Sequence, residues 1–184
     1  MSEDRGGATV PRSSETGALL RVMSLDAGVV RRDPAAALAV MSEQRPDLVA
    51  LTGAPRYQRW RSKRAALARQ LGLVVSTADR VGGMFVATSL GVDIKETSFA
   101  LSSSSAGTSP AVICVGFVVR GERWRLVLAA TGGAAEYPAS DVPTVVVGGV
   151  GGPNGISVDR SVTVQSCGPV PLANATATLA VLSR

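Results

Sequence analysis

AVICVGFVVRGERWRLVLAAT, residues 111–131, is the stretch on which the fold turns. It is two apolar, β-branched runs on either side of a turn signal at Arg120-Gly121. In the second run Trp124, Leu126 and Leu128 share one face, and Arg123, Arg125 and Val127 share the other. A period of two is the mark of a half-buried strand. The same period runs from Leu73 to the end of the chain: LVVSTAD, GGMFVATSLGVDIKETSFAL, TVVVGG, GISVDRSVTVQSC and TATLAVL are all strand-like. Turns are expected at Gly82-Gly83, Gly91 and Gly168-Pro169, and the SSSSAGTS stretch, 102–109, reads as a polar loop.

Upstream of Leu73 the pattern differs. Leu20, Val22 and Leu25 predict a strand; Asp33 then supplies an N-cap and Pro34 a first-turn proline for a helix that ends at Pro46. DLVAL, 47–51, reads as a second buried strand. Trp60, Leu67 and Leu71, spaced by seven and four, predict a helix that stops at Gly72. Strand-helix-strand-helix followed by a long series of strands predicts an α+β fold with two sheets packed face to face. Residues 1–18, polar and without periodicity, read as a flexible tail ahead of one domain over 19–184.

Composition excludes several chemistries. The chain of 184 residues has no histidine, which removes Ser-His-Asp and Cys-His catalysis, any imidazole base and His-ligated zinc. Cys114 and Cys167 are too few for a cysteine-rich zinc site and read as free, buried thiols. No P-loop pattern is present, because the glycine cluster lacks the Lys-Ser/Thr such a loop needs. Net charge is +5, mild for the length. No uninterrupted run of 18 apolar residues exists, and MSEDRGGATV lacks the apolar stretch of a signal peptide, so a cytoplasmic protein away from the membrane is expected.

Five segments together resemble a known family: LLRVMSLDAG, RPDLVALTGAPRYQRWRSKRAALARQLGLVV, RGERWRLVLAATGG, PTVVVGGVGG and ISVDRSVTVQSCGPV. They are similar to the successive motifs of endonuclease/exonuclease/phosphatase proteins, the deoxyribonuclease-I-like fold, in a form familiar from actinomycetes. The resemblance runs over roughly 19–184, strong in 19–75 and looser after 130. It implies a four-layer α/β/β/α sandwich of two mainly antiparallel sheets, shortened here by loss of the helical segment before PTVVVGG. It also implies phosphoester hydrolysis with Mg or Mn, using an asparagine and a glutamate at the metal, a His-Asp pair, and an Asp-x-Asn unit.

Position by position, those groups are missing. The first strand ends Leu25-Asp26 where the family has Leu-Asn, and Leu51-Thr52-Gly53 stands for Leu-Gln-Glu. The histidine of the third motif falls at Thr131, and Gly-Asp-x-Asn becomes Gly148-Gly149-Val150-Gly151. The final Ser-Asp-His aligns with Asn174-Ala175-Thr176. Glycine offers no oxygen to a magnesium-type cation, and without a base the attacking water keeps its proton. The expected protein is therefore a degenerate member with no metal and no cofactor, acting as a binding or scaffold protein for an unidentified small molecule or protein. Asp26 is expected to cap a turn rather than hold a metal.

Two alternatives stand beside this. One is an enzyme, either a residual phosphoesterase or a metal-free catalyst on a small metabolite, with Asp26, Thr131 and Asn154 as its polar groups. The other is a nucleic-acid module using the cluster Arg56, Arg59, Arg61, Lys63 and Arg64, which otherwise reads as a solvated helix face with Trp60 turned inward.

Overall fold

The computed structural model describes residues 19–54, 58–77, 83–101, 111–129, 140–148, 155–158, 162–172 and 175–183. The tail at 1–18, the 102–109 loop and the Gly82 turn position lie outside the described residues. In chain order the elements are β1 (Leu20–Asp26), α1 (Ala27–Arg32), α2 (Pro34–Gln44), β2 (Leu48–Thr52), α3 (Trp60–Gln70), β3 (Val74–Val75) and β4 (Phe85–Thr88). There follow β5 (Val92–Leu101), β6 (Ala111–Val119), β7 (Glu122–Ala129), β8 (Thr144–Gly148), β9 (Ile156–Val158), β10 (Thr163–Leu172) and β11 (Ala175–Ser183). They form a six-stranded sheet in the order β10-β11-β1-β2-β4-β3 and a five-stranded sheet in the order β5-β6-β7-β8-β9. The pairings are antiparallel except for β1 with β2 and β7 with β8.

Asp33 caps α2 as its position before Pro34 predicts, its Oδ1 accepting the Ala36 N–H at 2.9 Å. The α1 turn before it was not visible in the periodicity; the Asp26 side chain nucleates it. All three helices pack on the outer face of the six-stranded sheet. There Val29, Val30, Val40, Met41 and Leu67 meet Met23, Leu25, Val49, Leu51 and Phe85. The opposite face of the same strands (Leu20, Val22, Leu48, Ala50, Val86) packs against Ile113, Val115, Phe117, Trp124, Leu126 and Val145 of the second sheet. β1 and β2 thus bury both faces, which is why they read as unbroken apolar runs. Among the described residues no helix lies on the outer face of the five-stranded sheet, so these residues supply three of the four expected layers.

The expected Gly91 turn separates two strands that join different sheets, β4 the six-stranded and β5 the five-stranded, so it carries the chain between layers. Two local expectations need correction. Gly168-Pro169 is not a turn, since β10 runs through it from Thr163 to Leu172. It can, because β10 is an edge strand paired only with β11, and Pro169 and Pro171 alternate so that their missing N–H groups fall on the unpaired side. For the same reason Cys167 is exposed rather than buried; Cys114 is half-buried, and both are free.

One polar contact joins the sheets and orients them. Asp47, just ahead of β2, accepts the Arg21 N–H through Oδ2 at 2.8 Å and the Arg120 guanidinium through Oδ1 at 3.1 Å. Arg120 also donates to the Leu19 carbonyl. Leu19, Asp47 and Arg120 immediately precede β1, β2 and β7, so these strands start at one end of the sandwich. With β8 parallel to β7, all four finish at the other end.

Burial pushes the Asp47 carboxyl up, opposed by the Arg21 amide and by the Arg120 and Arg21 charges. A carboxyl raised in the folded state contributes stability that is fully present below its unfolded pKa and is lost as pH rises through the folded value. Arg120 opposes that loss, and only when Asp47 is ionised. Arg120→Ala is therefore expected to cost about 1 kcal/mol more at pH 7 than at about pH 3.5, where only the pH-independent bond to the Leu19 carbonyl is lost. Urea melts of both proteins at the two pH values check this; an equal loss at both would refute the coupling.

Candidate functional site

The end at which β1, β2, β7 and β8 finish brings together Asp26, Thr52-Gly53, Ala129 and Gly148. Asp26 lies directly across from Thr52 in the parallel ladder. Thr176 sits on β11 two residues before the Thr178–Ser24 pairing, level with Asp26; its side chain is outside the described ones. Thr131, Gly149, Gly151 and Asn154 fall outside the described residues, as does Arg56.

Asp26 is half-buried and already committed. Its Oδ1 accepts the Gly28 N–H at 2.7 Å, capping α1, which is the turn-capping role read from Asp-Ala-Gly. Its Oδ2 lies 2.7 Å from where a Cβ on Gly53 would stand, and Gly53 has φ +61°. A side chain at 53 would meet both left-handed backbone strain and the Asp26 carboxylate. Two positions that the resemblance assigns to metal-gripping groups are thus in contact, but one is glycine and the other holds a helix N-terminus.

Gly148 closes the opposite wall. It has φ +85°, and a Cβ on it would stand 2.3 Å from the Ala129 carbonyl oxygen. Its N–H bonds to the Gly155 carbonyl at 2.8 Å, turning the chain out of β8. Backbone conformation and packing both require glycine here.

Among the described residues no group of three or more Asp, Glu, Cys or His side chains could hold a metal. Magnesium-type cations take carboxylate, carbonyl and water oxygens in a near-octahedral shell. One carboxylate that is also a helix cap does not fit that demand. Sequence reasoning passed over Arg31 and Arg32. Both are exposed, and their guanidinium nitrogens come within 3.7 Å and 3.6 Å of the Cβ position of Gly28, beside Asp26. Their place in the last turn of a six-residue helix was the available signal, but it required knowing that α1 exists.

The basic cluster divides. Arg59, Arg61 and Lys63 are exposed on or just before α3, as a solvated face requires. Arg64 is the exception and corrects the expectation of a surface phosphate ligand: it is 1% exposed, with its guanidinium 4.9 Å from the Trp60 ring centre and 5.4 Å from that of Phe85. Trp60 is half-buried, with Arg61 also over its ring at 5.1 Å. A delocalised, weakly hydrated guanidinium can replace an aliphatic side chain between two rings, and lysine could not.

Two sheets packed face to face, helices on the six-stranded sheet and strand ends gathered at one end define the endonuclease/exonuclease/phosphatase fold, and this chain has it. The human Nocturnin catalytic domain with bound sulfate anion is 10% identical with a TM-score of 0.64, over 90% of this chain and 93% of that one. An endonuclease/exonuclease/phosphatase from Bacteroides vulgatus gives 9% identity and 0.63, over 90% and 98%. D. rerio TDP2 complexed with a single-strand DNA product gives 10% and 0.61, over 91% and 100%. No family model and no curated protein matches the sequence. Among the described residues no helix is long and apolar enough to cross a membrane.

Proposed function

We propose that this chain is a catalytically degenerate protein of the endonuclease/exonuclease/phosphatase fold that works by binding, as a receptor or scaffold for a small molecule or a protein, and not by metal-dependent phosphoester hydrolysis. The observation that supports it is the contact of Asp26 with Gly53, in which the surviving carboxylate caps α1 and its partner position has no side chain. A general base contributes on the order of 10²–10⁴-fold to a rate, and metal activation of water is a separate factor. Without either, family-type turnover falls to the uncatalysed level. Arg31 and Arg32 beside Asp26 would offer an anionic ligand positive charge with no cation bridging it.

Calorimetric titration of the full chain with MgCl2 and MnCl2, alongside hydrolysis of bis(p-nitrophenyl) phosphate, tests the reading. The expected result is no saturable binding tighter than about 1 mM and no hydrolysis above the metal-only control. Binding at or below that level accompanied by turnover would overturn it.

A further inference from the structure

The outer face of the five-stranded sheet carries a concavity away from the strand ends. Gly116 of β6 is its floor, and Glu96 of β5, Arg123 of β7 and the Ser140–Val142 segment ahead of β8 are its walls. Its volume is about 320 Å³, the size of a small-metabolite pocket. The Ser140–Val142 wall is fixed by the Val142 N–H to Ser140 Oγ at 3.2 Å and by the Thr144 hydroxyl to the Val142 carbonyl at 2.9 Å.

Two departures from a regular sheet meet here, and both act on Glu96. The β5 register shifts between Ile94 and Glu96, a bulge of the kind that re-aims a side chain. Glu96 then pairs with Gly116, where a Cβ would stand 2.6 Å from Glu96 Cγ and 2.8 Å from its Oε1. The glutamate therefore lies over β6 in the space a side chain at 116 would fill. Gly116 lacks the positive φ that would demand glycine, and a glycine inside a strand weakens it. Backbone conformation does not explain this residue; the placing of the Glu96 carboxylate does.

The charges around the cavity divide into two sets. Lys95 is ion-paired with Asp93, and the Arg125 guanidinium is held on Cys114 Sγ at 3.6 Å. Glu96 and Arg123 are left. Among the described residues neither side chain makes an ion pair or a hydrogen bond, and they do not meet each other. Glu96 stands across from Gly116 and Gly116 across from Arg125, so Glu96 and Arg123 are rooted two strands apart and two residues along. One carboxylate and one guanidinium on opposite sides of a small cavity match a ligand that carries both charges close together. An α-amino acid has its ammonium and carboxylate on one carbon and would bridge the two with a charge-assisted hydrogen bond at each end. We propose that this cavity binds the zwitterion of a small α-amino acid, its ammonium on Glu96, its carboxylate on Arg123 and its side chain toward Val142. The Ser140 hydroxyl accepts the Val142 N–H and keeps its own proton for the ligand carboxylate. The site lies near the start of β7 and β8, about 13 Å along the strands from Gly148, so it stands apart from the strand-end site and from the function proposed for it.

Calorimetry of the full chain with L-alanine, propionate and ethylamine tests it, the last two each keeping one of the two charges. Saturable binding of L-alanine is expected, at least about tenfold tighter than either fragment, and weakened at least about tenfold in Glu96→Gln and in Arg123→Gln. Glu96 and Arg123 are exposed, so both variants should melt as the parent does, which separates lost binding from lost fold. Gly116→Ala should weaken L-alanine as Glu96→Gln does, because its methyl displaces the carboxylate, while melting no lower than the parent. Absence of saturation at about 10 mM, propionate or ethylamine binding as tightly as L-alanine, or full affinity in any of the three variants would each overturn the assignment.

Discussion

Gly148→Ala is expected to destabilise the protein by about 3–5 kcal/mol, a large share of the roughly 5–15 kcal/mol that holds a domain folded. Two terms add. A non-glycine residue at φ +85° bears left-handed strain of about 1–2 kcal/mol. The new methyl would also stand 2.3 Å from the Ala129 carbonyl oxygen, a backbone atom that cannot rotate away. The last rung between β7 and β8 has to open, and the Gly148 N–H bond to Gly155 goes with it. Gly121 separates the terms: its φ is +84°, and nothing stands within 4 Å of its Cβ position. Gly121→Ala should show the strain alone, so the difference between the two variants in chemical denaturation measures the clash. Equal effects would mean that the β7–β8 end yields freely.

That glycine also shows how far the sequence could be read. PTVVVGGVGG signals a packed strand running into open backbone, and β8 is there with its valines buried on one face. The alternation of Trp124, Leu126 and Leu128 against Arg123 and Arg125 is likewise the observed split between core and outer face. Such features are local: a period of two or a capping residue acts within a few positions. Which sheet a strand joins is decided by contacts far along the chain, so the division of β4 from β5 and the edge position of β10 left no local trace. Gly168-Pro169 reads as a turn because the rule that excludes proline from strands assumes two neighbours, and β10 has one.

The strand-end site was legible as a set of positions more than as a set of contacts. Asp26 and Gly53 meet as the motif order implied, and Asp26 caps α1 through Gly28. What stayed hidden is side-chain direction. Arg64 falls in the same basic run as Arg61 and Lys63, yet it stands four residues after Trp60, close to one full helical turn, which returns it to the Trp60 face against Phe85. Charge counts treat the three alike; only the position of Phe85 in the adjoining sheet separates them.

Trp124 is the other position where a large effect is expected, and its two substitutions should diverge. It is among the largest fully buried side chains and lies directly across from Phe117 in the β6–β7 ladder, facing the core between the sheets. Its indole Nε1 is buried with no hydrogen-bond partner among the described residues. Trp124→Ala removes the ring, leaves a cavity between two sheets that cannot close over it, and should cost about 3–5 kcal/mol. Trp124→Phe also loses apolar area but retains the aromatic pair with Phe117 and removes a donor whose unpaired burial costs about 1–3 kcal/mol. The two changes oppose each other, so Trp124→Phe should lie within about 1 kcal/mol of the parent. Urea denaturation of both variants decides the matter: a loss in Trp124→Phe approaching that in Trp124→Ala would show that the indole N–H is satisfied. The aromatic pair would then be holding the sheets together through its polar edge as well as its area.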